Sequence, residues 1–104
     1  MAEKLVTLVP LFEALADENR LKILTHTKTR ALRCTLDKNG ECKDQTCIKD
    51  IKKHLNISLS TISYHIKILV RSGLLQFRKE GTFSYLEVPP EKFRLISSYI
   101  NNFK

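Results

Sequence analysis

Residues 58–73 carry the feature that most constrains this chain, an amphipathic helix with a clear beginning and a clear end. Ser58 is a good N-cap residue and Gly73 a good helix stop, so we predict a helix over the segment LSTISYHIKILVRS. At helical spacing its apolar face comprises Leu59, Ile62, Ile66, Leu69 and Val70, and its opposite face Ser60, Ser63, Tyr64, Lys67 and Arg71. Such a helix packs on a core with one face and offers a polar, basic and aromatic face to a partner.

A shorter helix precedes this one, and the connection between the two is tight. Thr46 is predicted to cap the shorter helix, which is closed by Asn56-Ile57. Its residues placed to face the core are Ile48, Ile51 and Leu55. Two helices joined in this way form a helix-turn-helix, here over about 46–72, whose second helix can lie in the major groove of DNA. We call this second helix the recognition helix.

Two extended runs follow the recognition helix, LLQF and TFSYLEV, joined by residues 78–81. They predict a hairpin over about 74–88, which is the wing of a winged helix-turn-helix. Elsewhere we expect two helices that end at about Lys28, an extended run over 30–36 that returns through a turn as residues 41–43, and a final helix after Pro90. The fold class is therefore mainly α with small β-hairpins, in a single domain covering residues 1–104.

The first two helices are predicted to be short and to meet at a polar corner. Pro10 is compatible with a helix only in its first turn, so the main part of the first helix is predicted to begin near that residue. Asp17 is placed to cap the second helix.

Positive charge is concentrated in the half of the chain that holds the recognition helix and the wing. Residues 1–50 contain nine Lys and Arg against eight Asp and Glu, whereas residues 51–104 contain nine against three, which is +6 of the net charge of +7. Such a field favours a polyanionic partner, nucleic acid ahead of an anionic membrane surface. Single-stranded RNA would favour exposed stacking aromatics, and only Tyr64 fits that role on the recognition helix, so double-stranded DNA is preferred.

Two groups of side chains are predicted to contact DNA. Short or aromatic residues of the recognition helix would read base edges, and basic residues of this helix and of the wing tip would contact phosphates. The first group is Ser60, Thr61, Ser63 and Tyr64, and the second is Lys67, Arg78 and Lys79. His65 lies at the margin of the apolar face and is predicted to pack in the core. In the absence of a recognition helix, Arg78 and Lys79 would be ordinary strand-edge charges.

Two segments of the chain resemble the ArsR/SmtB family of transcriptional repressors. The opening signature of that family is similar to FEALADENRLKIL, and its recognition helix and wing are similar to SLSTISYHIKILVRSGLLQFRKEGTFSYLEV. The resemblance covers nearly the whole chain except the segment from Arg30 to Gln45, which is longer than the usual connection. It implies a homodimeric DNA-binding repressor that leaves its operator when an inducer binds. If that dimer is two-fold, its operator in double-stranded DNA is expected to be an inverted repeat.

The final helix carries an apolar stripe that a chain of 104 residues has little left to cover. This stripe consists of Phe93, Ile96, Ile100 and Phe103. We therefore predict a homodimer whose shared surface is formed by residues 1–16 and 90–104, the first and last helices.

Three cysteines lie close together in the chain, at positions Cys34, Cys42 and Cys47. Three thiolates suit Zn²⁺ or a trivalent metalloid such as arsenite, and a position at a helix N-terminus would promote the thiolate character of Cys47. A disulfide between two of the three is a second interpretation. Three unmodified thiols on an inserted loop are a third, and the sequence leaves all three open.

The metal sites known in the family are not reproduced in this sequence. By the resemblance, one site would place two cysteines one residue apart at the start of the third helix, where this chain has Cys47 and Lys49. The other would use Asp and His pairs in the last helix, which here contains no His and only Glu91 as an acid. The three cysteines are therefore the remaining candidates for an inducer site.

Motifs and composition leave few other classes of protein. The chain has no phosphate-binding Gly-rich loop, no HExxH motif and no paired-carboxylate signal beside its three histidines, so it is not predicted to be an enzyme. No stretch approaches the roughly 20 apolar residues of a membrane span, which predicts a cytoplasmic protein without a membrane partner. The remaining alternative is a winged-helix module that binds protein or RNA without an effector, because this fold serves both purposes.

Overall fold

The computed structural model describes residues 2–29, 31–34, 38 and 46–103 of the 104-residue chain. Within these residues the elements, in chain order, are α1 (Ala2–Leu15), α2 (Glu18–Thr29), β1 (Leu32–Cys34), α3 (Thr46–Lys52), α4 (Leu59–Ser72), β2 (Gln76–Glu80), β3 (Phe83–Glu87) and α5 (Glu91–Asn101). The predicted winged helix-turn-helix, mainly helical with a small sheet, is confirmed. Cys42 and the strand predicted at 41–43 lie outside the described residues.

The corner between α1 and α2 is capped as predicted. The Oδ1 atom of Asp17 accepts a hydrogen bond from the backbone N–H of Arg20 at 3.1 Å, and this bond is the main cause that lowers the pKa of Asp17. The expectation for Pro10 is wrong, because α1 continues through this residue. Pro10 and Val6 are both exposed, so water can reach the Val6 carbonyl that loses its helical partner.

The core is built around α4, whose apolar face contacts α1, α2 and α3. Ile62 and Leu69 of α4 are fully buried together with Ile23 of α2, Ile51 of α3 and Leu86 of β3. Because the buried positions of α4 recur every three or four residues, burying them fixes the rotation of the helix about its axis. The opposite face of α4 is thereby directed away from the core.

The helix α3 is shorter than predicted, because it ends at Lys52 and residues 53–54 form a turn. In this turn the N–H of His54 donates to the carbonyl of Ile51 at 2.9 Å, and the N–H of Leu55 donates to that of Lys52 at 3.3 Å. These i to i+3 bonds satisfy the last carbonyls of α3 and tighten the chain. Leu55 is buried, as predicted, but it lies after the turn and not within the helix. Thr46 is the first residue of α3, whereas the sequence predicted it to be the cap.

The sheet has three antiparallel strands in the order β1-β3-β2. β1 pairs with the wing, with Leu32 opposite Leu86 and Cys34 opposite Ser84, a pairing that the sequence did not predict. Leu32 and Cys34 are buried and Arg33 between them is exposed. The three-residue strand β1 thus adds two side chains to the core, and its pairing makes β3 the central strand of the sheet.

The helix α5 packs against α1 but buries only Ile96. The ring of Tyr99 lies edge-on to that of Phe12 of α1, with ring centroids 6.0 Å apart. Phe103, after the end of α5, contacts Tyr99 in the same way at 5.3 Å. Among the helices described, none is both long and apolar enough to cross a membrane.

Candidate nucleic-acid interface

The recognition helix α4 begins and ends where the sequence predicts. The Oγ atom of Ser58 accepts a hydrogen bond from the backbone N–H of Thr61 at 3.2 Å, which is N-cap geometry. At the other end Gly73 has a left-handed φ of 86°, and its N–H donates to the carbonyl of Val70 at 3.1 Å. Both ends are therefore defined by local hydrogen bonds.

The exposed face of α4 forms one stripe along the helix. Its exposed side chains are Ser60, Tyr64, Lys67 and Arg71, at intervals of three or four residues. Tyr64 is 60% exposed although it is aromatic, whereas Thr61 and Ser63 are half-buried at the margin. Arg71 was not among the predicted contacts, although its helical spacing from Tyr64 and Lys67 could have identified it.

Hydroxyl groups cluster at the start of α4. The Oγ atom of Ser58 lies 3.1 Å from the Oγ of Ser60 and 2.8 Å from the Oγ1 of Thr61. A hydroxyl has one donor and two acceptor lone pairs, so these groups keep capacity for a further hydrogen bond. Small polar side chains at this end are what close approach to base edges requires.

Lysines of α3 hold the turn and extend the basic surface. The Nζ atom of Lys52 donates to the carbonyl of Ile57 at 2.7 Å, which ties α3 to the turn before the recognition helix. Lys49 and Lys53 are exposed on the same short helix and its end. In a helix-turn-helix the first helix crosses the DNA backbone, so lysines there add positive charge on the required side.

The wing places Arg78 and Lys79 on opposite faces of the sheet. Both residues lie within β2, whereas the predicted connection included them; the actual connection is Gly81 and Thr82. Arg78 pairs with Tyr85 and Lys79 pairs with Ser84 across the two strands. Because side chains alternate along a strand, each pair lies on its own face of the sheet. Gly81 has a φ of 62°, which is the conformation that so short a hairpin turn needs.

Two carboxylates hold Arg78. Its Nε atom is 3.0 Å from both oxygens of Glu87, its Nη1 bonds Glu80, and its guanidinium lies 5.1 Å from the centre of the Tyr85 ring. The bond to Glu80, then that to Glu87, raises the pKa of Arg78. Partial burial raises the pKa of Glu87, but hydrogen bonds from Arg78 and Gln76 outweigh it and leave that pKa below its usual value. Much of the positive charge of Arg78 is therefore balanced within the wing, whereas Lys79 is exposed.

Two of the three cysteines lie in the described part of the chain, on elements that pack together. Cys34 of β1 and Cys47 of α3 are buried thiols, and β1 contacts α3. Over the described residues, no group of three His, Cys, Asp or Glu side chains is arranged to hold a metal ion. Since Cys42 is not among them, the three-cysteine cluster stays a prediction.

His65 is buried, as the sequence predicts, and is 6% exposed. Its Nδ1 atom lies 3.2 Å from the Nη1 of Arg20 on α2. The sequence did not predict this contact, and no local signal could have done so, because the two residues are 45 positions apart.

The order of recognition helix and wing, with a polar face on the former, defines a winged helix-turn-helix protein of the transcription-regulator class. The family model described as bacterial regulatory protein, arsR family, matches residues 42–76. This chain belongs to the ArsR family.

Three known proteins illustrate the relationship. The chain is 31% identical over 81 residues to the arsenical resistance operon repressor of Bacillus subtilis. The matched segment is 78% of this chain and 65% of that protein, so the match spans just under two thirds of the repressor's length. It is 32% identical over 84 residues to the HTH-type transcriptional regulator YceK of the same organism, covering 81% and 72%. The solution structure of a homodimeric winged helix-turn-helix DNA-binding domain, Mb0332 of Mycobacterium bovis, matches with a TM-score of 0.65 and 22% identity, covering 97% and 83%.

Proposed function

We propose that this chain is a homodimeric repressor that binds double-stranded DNA at an inverted repeat. The observation that carries this proposal is the division of α4, which buries Ile62 and Leu69 and exposes a polar, aromatic and basic stripe. A capped helix of this kind beside a wing suits the major groove. The relatives of this chain are named as regulators or as a repressor, which favours DNA over the alternative of a protein- or RNA-binding module.

The proposed contacts divide by chemistry. Base edges would be read by Ser60, Thr61, Ser63 and Tyr64, and phosphates would be contacted by Lys67, Arg78 and Lys79. The surroundings of the two wing residues support a larger role for Lys79, because Arg78 is paired with Glu80 and Glu87. Arg78 would then mainly stiffen the wing that carries Lys79.

The proposed dimer surface is the exposed apolar face of α1 and α5. Its large exposed side chains are Leu5, Val6, Val9, Phe12, Leu95, Ile100 and Phe103. The contact between Phe12 and Tyr99 joins the two helices, which supports a single dimer surface shared by both of them. A two-fold dimer through this surface would present two recognition helices to half-sites about one helical turn, 34–36 Å, apart. The similar Mycobacterium bovis domain is described as homodimeric.

Selection from a random library of DNA duplexes tests this function without knowledge of the operator. We expect the wild-type protein to enrich an inverted repeat, to protect two half-sites in footprinting, and to have the mass of a dimer in light scattering at micromolar concentration. If no duplex is enriched, or if one half-site alone is protected, the proposal is wrong in its DNA-binding or in its dimeric part, respectively.

The role of Tyr64 can be tested on the enriched duplex. Tyr64→Ala should reduce discrimination between that duplex and random DNA by about 1–3 kcal/mol per lost base contact. Because Tyr64 is exposed, thermal unfolding should be little changed. An equal loss of affinity on both kinds of DNA would show that Tyr64 contacts phosphate or acts indirectly.

We also propose that Cys34, Cys42 and Cys47 form the inducer site, by binding Zn²⁺ or a trivalent metalloid or by oxidation. Cys34 lies on β1, which pairs with the wing, and Cys47 lies on α3 within the helix-turn-helix. A chemical change that ties these thiols together would act on both DNA-contacting elements. The similarity to an arsenical resistance repressor supports a thiophilic ion as the inducer.

Replacing all three cysteines by Ser tests the inducer site, and the variant contains no other cysteine. Affinity for the enriched duplex is measured with and without Zn²⁺, arsenite and an oxidant. We expect at least one of them to change wild-type affinity by about 5–150-fold, the usual range of coupling between two sites. A triple variant that responds like the wild type, or a wild type that responds to none, would refute the site.

A further inference from the structure

Arg20 joins three helices through one side chain. Its Nε donates to the carbonyl of Ala14 at 2.6 Å, and its Nη2 donates to the carbonyl of Glu13 at 3.3 Å. Both carbonyls belong to the last turn of α1, where backbone acceptors lack an i+4 partner within the helix, although that of Glu13 also accepts from the N–H of Ala16 at 3.2 Å. The Nη1 of the same guanidinium lies 3.2 Å from His65 Nδ1 of the recognition helix. The end of α1 and the middle of α4 are thus held by one planar group on α2.

The contact between Arg20 and His65 constrains the protonation of the imidazole. An Arg side chain has only donors, so the Nδ1 of His65 accepts this bond and carries no proton. This geometry fits the tautomer that carries its hydrogen on Nε2. With a proton on Nδ1, the N–H groups of His65 and Arg20 would point at each other and the hydrogen bond would be lost. Two positive charges would then also lie next to each other. At 6% exposure, little solvent is available to screen that repulsion.

Charged or titratable side chains from three places in the described structure interact with His65. Arg20 comes from α2, Asp17 from the corner before α2, and Tyr64 from α4 itself. Asp17 attracts a protonated His65, but it is also bonded to the backbone N–H of Arg20, and Arg20 is in direct contact with the imidazole. The ring of Tyr64, on the proposed DNA-reading face, has its centroid 5.5 Å from that of His65. A movement of His65 therefore reaches a residue of that face.

We propose that neutral His65, held by Arg20, positions the recognition helix for DNA, and that protonation of His65 releases the helix and lowers DNA affinity. Arg20 and His65 are positioning residues, since His65 faces the core and Arg20 acts through it. The inference rests on the proposed DNA-binding function. Histidine is the side chain whose ordinary charge change lies nearest to neutral pH, so pH is the variable that tests this proposal. Its sign is distinctive, because a histidine at the DNA surface would gain a phosphate contact on protonation and bind more tightly.

The experiment uses the full chain and the duplex that the wild-type protein enriches from a random library. Affinity is measured by fluorescence anisotropy at pH 7.5 and 5.5 and at constant ionic strength. We expect wild-type affinity to fall about fivefold or more at the lower pH. His65→Asn keeps an acceptor near the position of Nδ1 but cannot titrate, so its affinity should be the same at both values. Arg20→Gln should bind more weakly at pH 7.5 and lose the pH response.

The matched control is His54→Asn, the same substitution at an exposed histidine, which should keep the wild-type pH response. Circular dichroism at both pH values identifies a variant that does not fold, and nitrogen NMR of the wild-type imidazole supplies a measurement that needs no variant. The proposal is overturned if wild-type binding is unchanged or tighter at pH 5.5, if folded His65→Asn retains the loss, or if His65 carries its hydrogen on Nδ1 at pH 7.5. A failure of the underlying function is distinguishable, since no duplex would then be enriched at pH 7.5.

Discussion

The helices α4 and α5 both have amphipathic sequences, but they differ in how much of the apolar face is buried. In α4 the apolar face, including Ile62 and Leu69, is buried within the same chain. In α5 only Ile96 is buried, and the large apolar side chains left exposed on it or just beyond its end are Leu95, Ile100 and Phe103. The comparison separates a helix completed by its own fold, whose free face is polar, from a helix whose free face is apolar and suited to a second copy.

The ends of the two helices differ in the same sense. α4 has a side-chain cap at Ser58 and a left-handed glycine at Gly73. α5 begins after Pro90, which makes no side-chain cap bond, and its C-cap residue, Asn102, has the right-handed conformation. A side-chain cap and a left-handed glycine therefore define the ends of α4, whereas the ends of α5 have backbone hydrogen bonds, such as that from the N–H of Asn102 to the carbonyl of Tyr99 at 3.2 Å.

The largest expected contrast is in the core. Leu69→Ala removes a fully buried side chain and should lower the free energy of unfolding by about 2–5 kcal/mol, because a cavity remains. Ile100→Ala removes a half-exposed side chain and should cost much less at protein concentrations where the chain is monomeric. Urea unfolding monitored by circular dichroism measures both. Equal losses would mean that α5 is as much a part of the monomer core as α4.

A charge on the free face of α5 should separate the proposed dimer. Ile100→Glu combined with Phe103→Glu should weaken association by about 2 kcal/mol or more, since it places charge in an apolar interface. Light scattering should show a monomer with helical content retained. Tyr64→Glu, which puts a charge on the exposed face of α4, is the matched control and should remain dimeric. A charged variant of α5 that stays dimeric would locate the interface elsewhere.

The difference between the helix ends is tested at their C-caps. Gly73→Ala should destabilise the protein by about 1–2 kcal/mol, because a side chain at a φ of 86° is disfavoured. The added Cβ would also lie 2.9 Å from the Cε of Lys92, but that flexible side chain can move. Asn102→Ala, at an ordinary φ of −68°, should change stability by far less. Comparable changes at the two positions in urea unfolding would contradict this account.

The smallest expected effect concerns the wing beside α4. Lys79→Ala should lower the slope of log K against log salt by about 0.9 per protomer, the value for one lost phosphate contact on duplex DNA. Lys28→Ala removes an exposed lysine from α2, outside the proposed interface, and should leave the slope unchanged. The measurement is anisotropy with the enriched duplex over a range of salt concentrations. Identical slopes for Lys79→Ala and the wild type would remove Lys79 from the phosphate contacts.

The sequence by itself determined the local features of this protein. The bounds of α4 follow from Ser58, Gly73 and a helical apolar period, all within 16 residues, and the cap at Asp17 likewise depends on a hydrogen bond three residues away. The burial of His65 and the exposure of Tyr64 follow from the same period. Such features are predictable because neighbouring residues alone decide them.

Only the tertiary structure decided the features that join distant parts of the chain. The pairing of β1 with β3, the separation of Arg78 from Lys79 on two faces, and the contact between Arg20 and His65 each need a partner or a register that no local pattern specifies. The length of α3 belongs here too, since i to i+3 bonds end it where the pattern would continue. A helical period states that a face is apolar, but packing of the whole chain decides whether that face is buried, as in α4, or left exposed, as in α5.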